Sequence, residues 1–97
     1  LFPYTRFFRS VQLPPVLRQV SGGQKELSAN GATIAEVLED MARSTPALRL
    51  HLFDESGAIR RNIVCIHDNE MVRANCARTH AIADGDEIVL ANALAGG

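Results

Sequence analysis

The residues with the clearest chemical potential are the last two of the sequence, Gly96 and Gly97. Glycine loses more backbone entropy than any other residue when it is ordered, so it contributes little to holding the end of a fold together. Its thin backbone can instead pass through a narrow channel and bring the carboxylate of Gly97 to the active site of another protein. The alternative is a frayed chain end, which is what most chain ends are. The strand predicted just before the glycines favours the first interpretation.

The other candidate set consists of two cysteines and two histidines in the second half of the chain. They are Cys65, His67, Cys76 and His80. A strand would place Cys65 and His67 on one face, so a structural zinc is one hypothesis, but the spacing of the four residues fits no common zinc motif. The alternative, which we adopt, makes Cys65 a small core side chain and Cys76 a loop thiol, with both histidines as ordinary strand-end and loop residues. No paired base is indicated for Cys76, which argues against a catalytic nucleophile.

Three arginines could form a basic patch for an acidic partner: Arg60, Arg61 and Arg73. We interpret them as solvated edge positions, which are common on a near-neutral surface. The formal net charge of −1 gives no electrostatic argument for nucleic acid or a membrane surface. No apolar run approaches the roughly 20 residues that span a bilayer. Two cysteines are too few for a disulfide scaffold, so we expect a reduced, cytoplasmic protein.

One helix is predicted to stabilise the framework that positions these residues. Thr33 and Glu36 fit a capping box at its start, and Pro46 stops it just beyond its end. Apolar residues recur on one face at the spacing of a helix; they are Ile34, Val37, Leu38, Met41 and Ala42. Burial of the four larger side chains would contribute roughly 1.5–3 kcal/mol each, counted as an upper bound against an extended chain.

Strands are predicted on both sides of this helix. The predicted strands are Arg6–Leu13, Gln24–Ala29, Asn62–His67, Met71–Arg73 and Glu87–Ala91. Proline cannot donate to a strand ladder, so Pro14-Pro15 end the first strand. The first two strands then form a hairpin with a long loop that turns at Gly22-Gly23. Residues 46–53 are predicted to be either a short turn of helix or an irregular packed segment.

This order of elements predicts an α+β domain of the β-grasp (ubiquitin-like) type, with a mixed sheet of four to five strands and one main helix packed across it. In that arrangement the first and last strands lie side by side in the centre, in parallel. We expect residues 11–91 to form the domain and residues 92–97 to form a flexible C-terminal tail that ends in Gly-Gly. Residues 1–10, which hold four of the five aromatic residues, would be an extension or the start of the first strand.

Five short segments connect the sequence with a known family. They are Leu13-Pro14, Leu17-Arg18, Gly22-Gly23-Gln24-Lys25, Ala81–Asp86 and Ala95-Gly96-Gly97. In these segments the chain resembles the ubiquitin-like sulfur carrier proteins of bacteria (the MoaD/ThiS family), and within them the carriers of actinobacterial cysteine biosynthesis. The resemblance covers roughly residue 11 to the end. At residues 92–94 the sequence reads Asn-Ala-Leu, where such carriers often have a proline and a valine.

The resemblance implies that the chain is a protein co-substrate and not an enzyme. An E1-like activating enzyme of the MoeB/ThiF type would adenylate the carboxylate of Gly97 with ATP, and sulfur would displace AMP to leave a nucleophilic thiocarboxylate. The sulfur acceptor would be a pyridoxal phosphate-dependent cysteine synthase, and a metalloprotease would release the product. The carrier itself would bind no cofactor or metal stably. The residues expected to contact the partners are Ala93, Leu94, Ala95 and Gly96.

Other functions remain open at the level of the sequence. The same family implies, as alternatives, the small subunit of molybdopterin synthase or a carrier for another sulfur-containing metabolite. An alternative of a different class is a ubiquitin-like modifier that uses the same activation but forms an isopeptide bond with a lysine. A third is a plain interaction module whose glycines have no function.

Overall fold

A computed structural model describes residues 8–92 of the protein, in which a five-stranded sheet packs against one long helix. The five strands are β1 (Phe8–Gln12), β2 (Glu26–Asn30), β3 (Ile63–His67), β4 (Glu70–Val72) and β5 (Glu87–Asn92). The helices are α1 (Pro15–Val20), α2 (Ile34–Ser44) and α3 (Arg49–Leu52), with 3₁₀ turns at Pro46–Leu48 and Ala74–Cys76. The predicted tail site, from Ala93 to Gly97, lies outside the described residues, as do residues 1–7.

The strands lie in the order β2-β1-β5-β3-β4. β1 and β5 are parallel neighbours, whereas β1 pairs antiparallel with β2, and β3 pairs antiparallel with both β4 and β5. The prediction of a β-grasp with its first and last strands side by side and parallel is therefore confirmed. β5, which directly precedes the tail, is the middle strand of the sheet.

Helix α2 begins and packs as its sequence predicts. The hydroxyl of Thr33 accepts a hydrogen bond from the backbone N–H of Glu36 at 3.3 Å. The carboxylate of Glu36 accepts from the N–H of Ala32 at 2.8 Å, one residue earlier than the capping box places it. All five residues of the predicted apolar stripe are buried against the sheet. The helix therefore supplies the centre of the hydrophobic core.

The prediction of a long loop between the first two strands was wrong. Residues 15–20 form helix α1, which starts with Pro15 in its first turn, where the missing N–H of proline costs nothing. Leu17 is only 1% exposed, so the short helix contributes an anchor to the core. The segment that follows α2 is helical from Pro46 to Leu52, which decides between the two alternatives left open for residues 46–53, and Phe53 is extended and forms a β-bridge with Ile59.

The turn between β3 and β4 is tighter than predicted. Asp68 and Asn69 have φ values of 53° and 64°, a pair of left-handed residues that is typical of a two-residue type I′ hairpin turn. Glu70 is thus the first residue of β4 and not part of the turn. Within residues 8–92 no helix is long and apolar enough to cross a membrane.

Candidate functional site

Strand β5 anchors the segment that carries the predicted reactive group. Its first half pairs with β1, from Glu87 to Val89, and its second half pairs with β3 up to Asn92, which lies opposite Ile63. Ile88 and Leu90 are buried under helix α2. The strand is therefore fixed by main-chain pairing and by core packing as far as Asn92. The predicted site residues follow directly on this anchored end.

The face of the sheet that α2 does not cover, here called the outer face, carries an exposed apolar row. The register places Met71, Ile66 and Val89 next to one another across β4, β3 and β5. Met71 is 57% exposed and Val89 36%. This row includes Val89 of β5, the strand that leads into the tail. The sequence analysis missed this surface, because Ile88, Val89 and Leu90 form an unbroken apolar run that does not show which side chain faces outward.

Of the three arginines weighed from the sequence, Arg60 differs from the other two. It is half-buried, and its Nε donates to the backbone carbonyl of Leu50 at 2.7 Å. Arg61 and Arg73 are exposed, as a solvated position requires. Arg60 thus has a structural role in joining the segment before β3 to helix α3, and the prediction of a solvated edge position was wrong for it.

His67, at the end of β3, lies in a chain of hydrogen bonds that the sequence analysis did not predict. Its Nε2 lies 2.8 Å from a carboxylate oxygen of Asp86, and its Nδ1 lies 2.9 Å from Nε2 of His80. Since a carboxylate only accepts, the His67 Nε2 carries a proton and donates it. The same oxygen of Asp86 accepts from the N–H of Ala83 at 2.9 Å. These contacts tie the segment before β5 to the end of β3.

The two cysteines differ in their exposure to solvent. Cys65 is buried, and burial raises the pKa of its thiol to about 12, so it stays protonated at neutral pH. A protonated thiol is a poor nucleophile. Cys76 is exposed in a 3₁₀ turn. Among the described residues, no three His, Cys, Asp or Glu side chains are arranged to hold a metal ion.

The architecture defines the class of protein: a ubiquitin-like β-grasp whose middle strand leads into a short segment ending in two glycines. The profile of the ThiS family matches residues 11–97, and the chain belongs to that family. The sulfur carrier protein CysO of Mycobacterium tuberculosis is 36% identical over 90 residues, which cover 91% of this chain and 97% of that protein. The resemblance to ubiquitin-like sulfur carriers is thereby confirmed.

Solved structures agree with this assignment. The crystal structure of M. tuberculosis CysO has a TM-score of 0.77 and 33% identity, covering 89% of this chain and 99% of that one. A crystal structure of the BexX/CysO complex from Amycolatopsis orientalis contains a chain that matches with a TM-score of 0.77 and 30% identity, over 92% of this chain and 99% of that one. The family consists of small protein carriers, so the chain is a carrier and not an enzyme.

Proposed function

We propose that this protein carries sulfur for cysteine biosynthesis as a thiocarboxylate on Gly97. The observation that carries the proposal is the 36% identity to the sulfur carrier protein CysO, in an alignment that covers 97% of CysO. The match to the ThiS family runs through Gly97 itself. The central, doubly paired position of β5 supports it, because a rigid strand up to Asn92 defines where the last five residues start.

The chemistry requires an activating partner because a free carboxylate is a poor electrophile. A carboxylate oxygen of Gly97 attacks the α-phosphorus of ATP, pyrophosphate leaves, and an acyl adenylate forms. Hydrosulfide then attacks the carbonyl carbon, the bond to AMP breaks, and loss of a proton leaves the thiocarboxylate. Its anionic sulfur is a nucleophile at neutral pH, as a low-pKa thiolate is. The carrier contributes only the position of its end group.

The acceptor follows from the same proposal. The thiocarboxylate sulfur would add to an aminoacrylate held by a pyridoxal phosphate-dependent cysteine synthase, and a metalloprotease would release the product from the carrier. The exposed row of the outer face includes Val89 of β5 and would give such partners an apolar surface on the strand that leads into the tail. Ala93, Leu94, Ala95 and Gly96 would occupy the partner's channel.

The test is mass spectrometry after activation. The protein is incubated with an activating enzyme, ATP and sulfide, and its intact mass should rise by the difference between sulfur and oxygen, with fragmentation placing the change on Gly97. The control is a chain that ends at Gly96, which should not react. An unchanged mass, with an enzyme that activates other carriers, would rule out the proposal. Conjugates to lysine in a cell lysate would instead identify a protein modifier.

The channel argument has a separate test. A side chain at position 96 should block the narrow passage, and a residue added after Gly97 should misplace the carboxylate by several ångströms, which near-attack geometry does not tolerate. We expect the Gly96→Val variant and the extended chain to keep their fold and to lose at least about tenfold in the rate of thiocarboxylation. If Gly96→Val reacts as fast as the wild type, the passage is not narrow.

A further inference from the structure

Three exposed arginines line one open groove beside helix α2. They are Arg61, Arg73 and Arg78, and we call this surface the arginine groove. In the part of the chain that the structure describes, none of the three guanidinium groups forms an ion pair or a hydrogen bond. Arginine is usually found on surfaces, but three unmatched ones on a single groove form a local positive surface on a protein whose net charge is −1.

Three of the four carboxylates that border the same groove pair with other arginines, and only Glu36 keeps a negative charge that no cation within residues 8–92 pairs with, so the three arginines remain in excess. Glu36 accepts from the N–H of Ala32, and Glu39 pairs with Arg49 at 3.3 Å. Asp40 accepts from the N–H of Asn30 and pairs with Arg43 at 3.0 Å. Asp84 pairs with Arg9 at 3.0 Å. The groove therefore keeps its unmatched positive charge.

One end of the arginine groove adjoins the end of the sheet from which the tail continues. Arg61 stands two residues before Ile63, which pairs with Asn92 at the end of β5. Arg73 follows Val72, the last residue of β4. β4 is two strands away from β5, which corresponds to roughly 10 Å. A protein that takes residues 93–97 thus has Arg61 and Arg73 within reach of its channel entrance. Arg78 lies at the other end of the groove, next to Ala77, whose carbonyl accepts from the N–H of Ala35 in the first turn of α2.

The edge strand β4 joins the groove to the outer face. Met71 belongs to the exposed apolar row of the outer face, and Arg73, two residues later, lines the groove. Ala58 and the half-buried Ile59 lie in the same groove. This combination of apolar contact surface and separate guanidinium groups suits a peptide segment with carboxylate side chains, which arginine binds through paired hydrogen bonds.

We propose that the arginine groove binds an acidic segment of the activating enzyme beside the entrance of its channel. The inference rests on the proposed function, since activation is the step that requires this partner. Complementary charge of this kind accelerates encounter and fixes orientation, and its effect weakens as salt is added. The groove would therefore orient the carrier so that its tail meets the channel.

The experiment compares charge reversals at two edges of the sheet. Arg73→Glu reverses a charge in the groove, whereas Lys25→Glu makes the same change in net charge before β2, at the opposite edge, where Lys25 is exposed. Initial rates of thiocarboxylation are measured with the activating enzyme at several salt concentrations. At low salt we expect Arg73→Glu to lower kcat/KM about tenfold through KM, and to approach the wild type as salt rises. Lys25→Glu should stay within about twofold of the wild type.

Two further arms make the result decisive. Arg61→Glu is measured in parallel, and unfolding midpoints verify that each variant is folded. If Arg73→Glu and Arg61→Glu match Lys25→Glu at low salt, the groove does not bind the enzyme and the inference is wrong, while thiocarboxylation of the wild type still supports the proposed function. If the wild type is not thiocarboxylated, the proposed function fails, and the inference fails with it.

Discussion

At the scale of single residues, Asp86 shows how a few contacts near the start of β5 make the stability of the protein depend on pH. The hydrogen bond from the N–H of Ala83, and after it the one from His67, lower the pKa of Asp86 below its ordinary value of 3.8. A carboxyl group whose pKa is lowered in the folded state stabilises the fold fully above its unfolded pKa, and loses that contribution as the pH falls through the folded value. We therefore expect Asp86 to stabilise the protein at neutral pH and not in strong acid.

The measurement is the free energy of unfolding in urea, at pH 7 and again below the ordinary pKa of 3.8, for the wild type and for Asp86→Asn. Asparagine cannot carry the charge, so the variant should be less stable than the wild type at pH 7, and the difference should narrow in acid. Glu55→Gln serves as the control, because Glu55 lies exposed on the surface turn after α3. A gap between wild type and Asp86→Asn that is the same at both pH values would contradict the role given to Asp86.

Single residues were predictable from the sequence where their contacts are local. Thr33 and Glu36 form a cap within one helical turn, so their spacing alone revealed it. His67 and His80 are 13 residues apart, and their contact depends on the path of residues 74–80, which no periodicity in the sequence defines. The sequence analysis considered Arg61 and Arg73 in a basic patch and set that patch aside, and it missed Arg78, because only the fold brings the three residues to one groove.

At the scale of elements, the passage from β2 into α2 depends on Gly31. A Cβ atom added there would lie 2.7 Å from the backbone nitrogen of Val37 and 2.9 Å from the backbone carbon of Glu36. Backbone atoms of a helix whose apolar face is buried cannot move aside cheaply. We expect Gly31→Ala to destabilise the protein by roughly 1–3 kcal/mol, the range for overpacking, as measured by urea denaturation.

A matched control for this substitution is Gly57→Ala. Both glycines have a positive φ, 155° at Gly31 and 88° at Gly57. At Gly57, however, an added Cβ would meet no atom within 4 Å. Its cost should therefore be limited to backbone strain, of order 1 kcal/mol. If the two variants lose the same stability, the close approach between Gly31 and α2 does not restrict the connection.

Elements with a strong apolar period were predicted well, and those that depend on packing were not. The apolar run of β5 gave that strand to within a residue, and the capping box and the stripe gave the start and the buried face of α2. Helix α1 is only six residues long, too short to be stable alone, and forms because Leu17 enters the core. Pro14 and Pro15 indicated the end of a strand, but not that Pro15 begins a helix.

At the scale of the whole molecule, stability and function are expected to separate along the chain. The core cluster runs from Val11 to Leu90, with Leu38 fully buried at its centre. Leu38→Ala should therefore cost roughly 2–5 kcal/mol, a large part of the total stability of a small domain. Deletion of Gly96 and Gly97 removes none of these core contacts and should leave the unfolding midpoint nearly unchanged, while it abolishes thiocarboxylation.

A comparison of stability with thiocarboxylation shows whether the tail only carries the reactive carboxylate or is also part of the fold. Urea denaturation of the wild type, Leu38→Ala and the chain that ends at Ala95 gives the stabilities, and the mass assay gives the chemistry. A Leu38→Ala protein that is still folded should be thiocarboxylated, because the substituted side chain lies inside the domain and its outer surface is retained. If deleting the glycines destabilises the protein more than Leu38→Ala does, the tail packs as a structural element. The loss of reaction in the shortened chain would then report unfolding and not the absence of a reactive carboxylate.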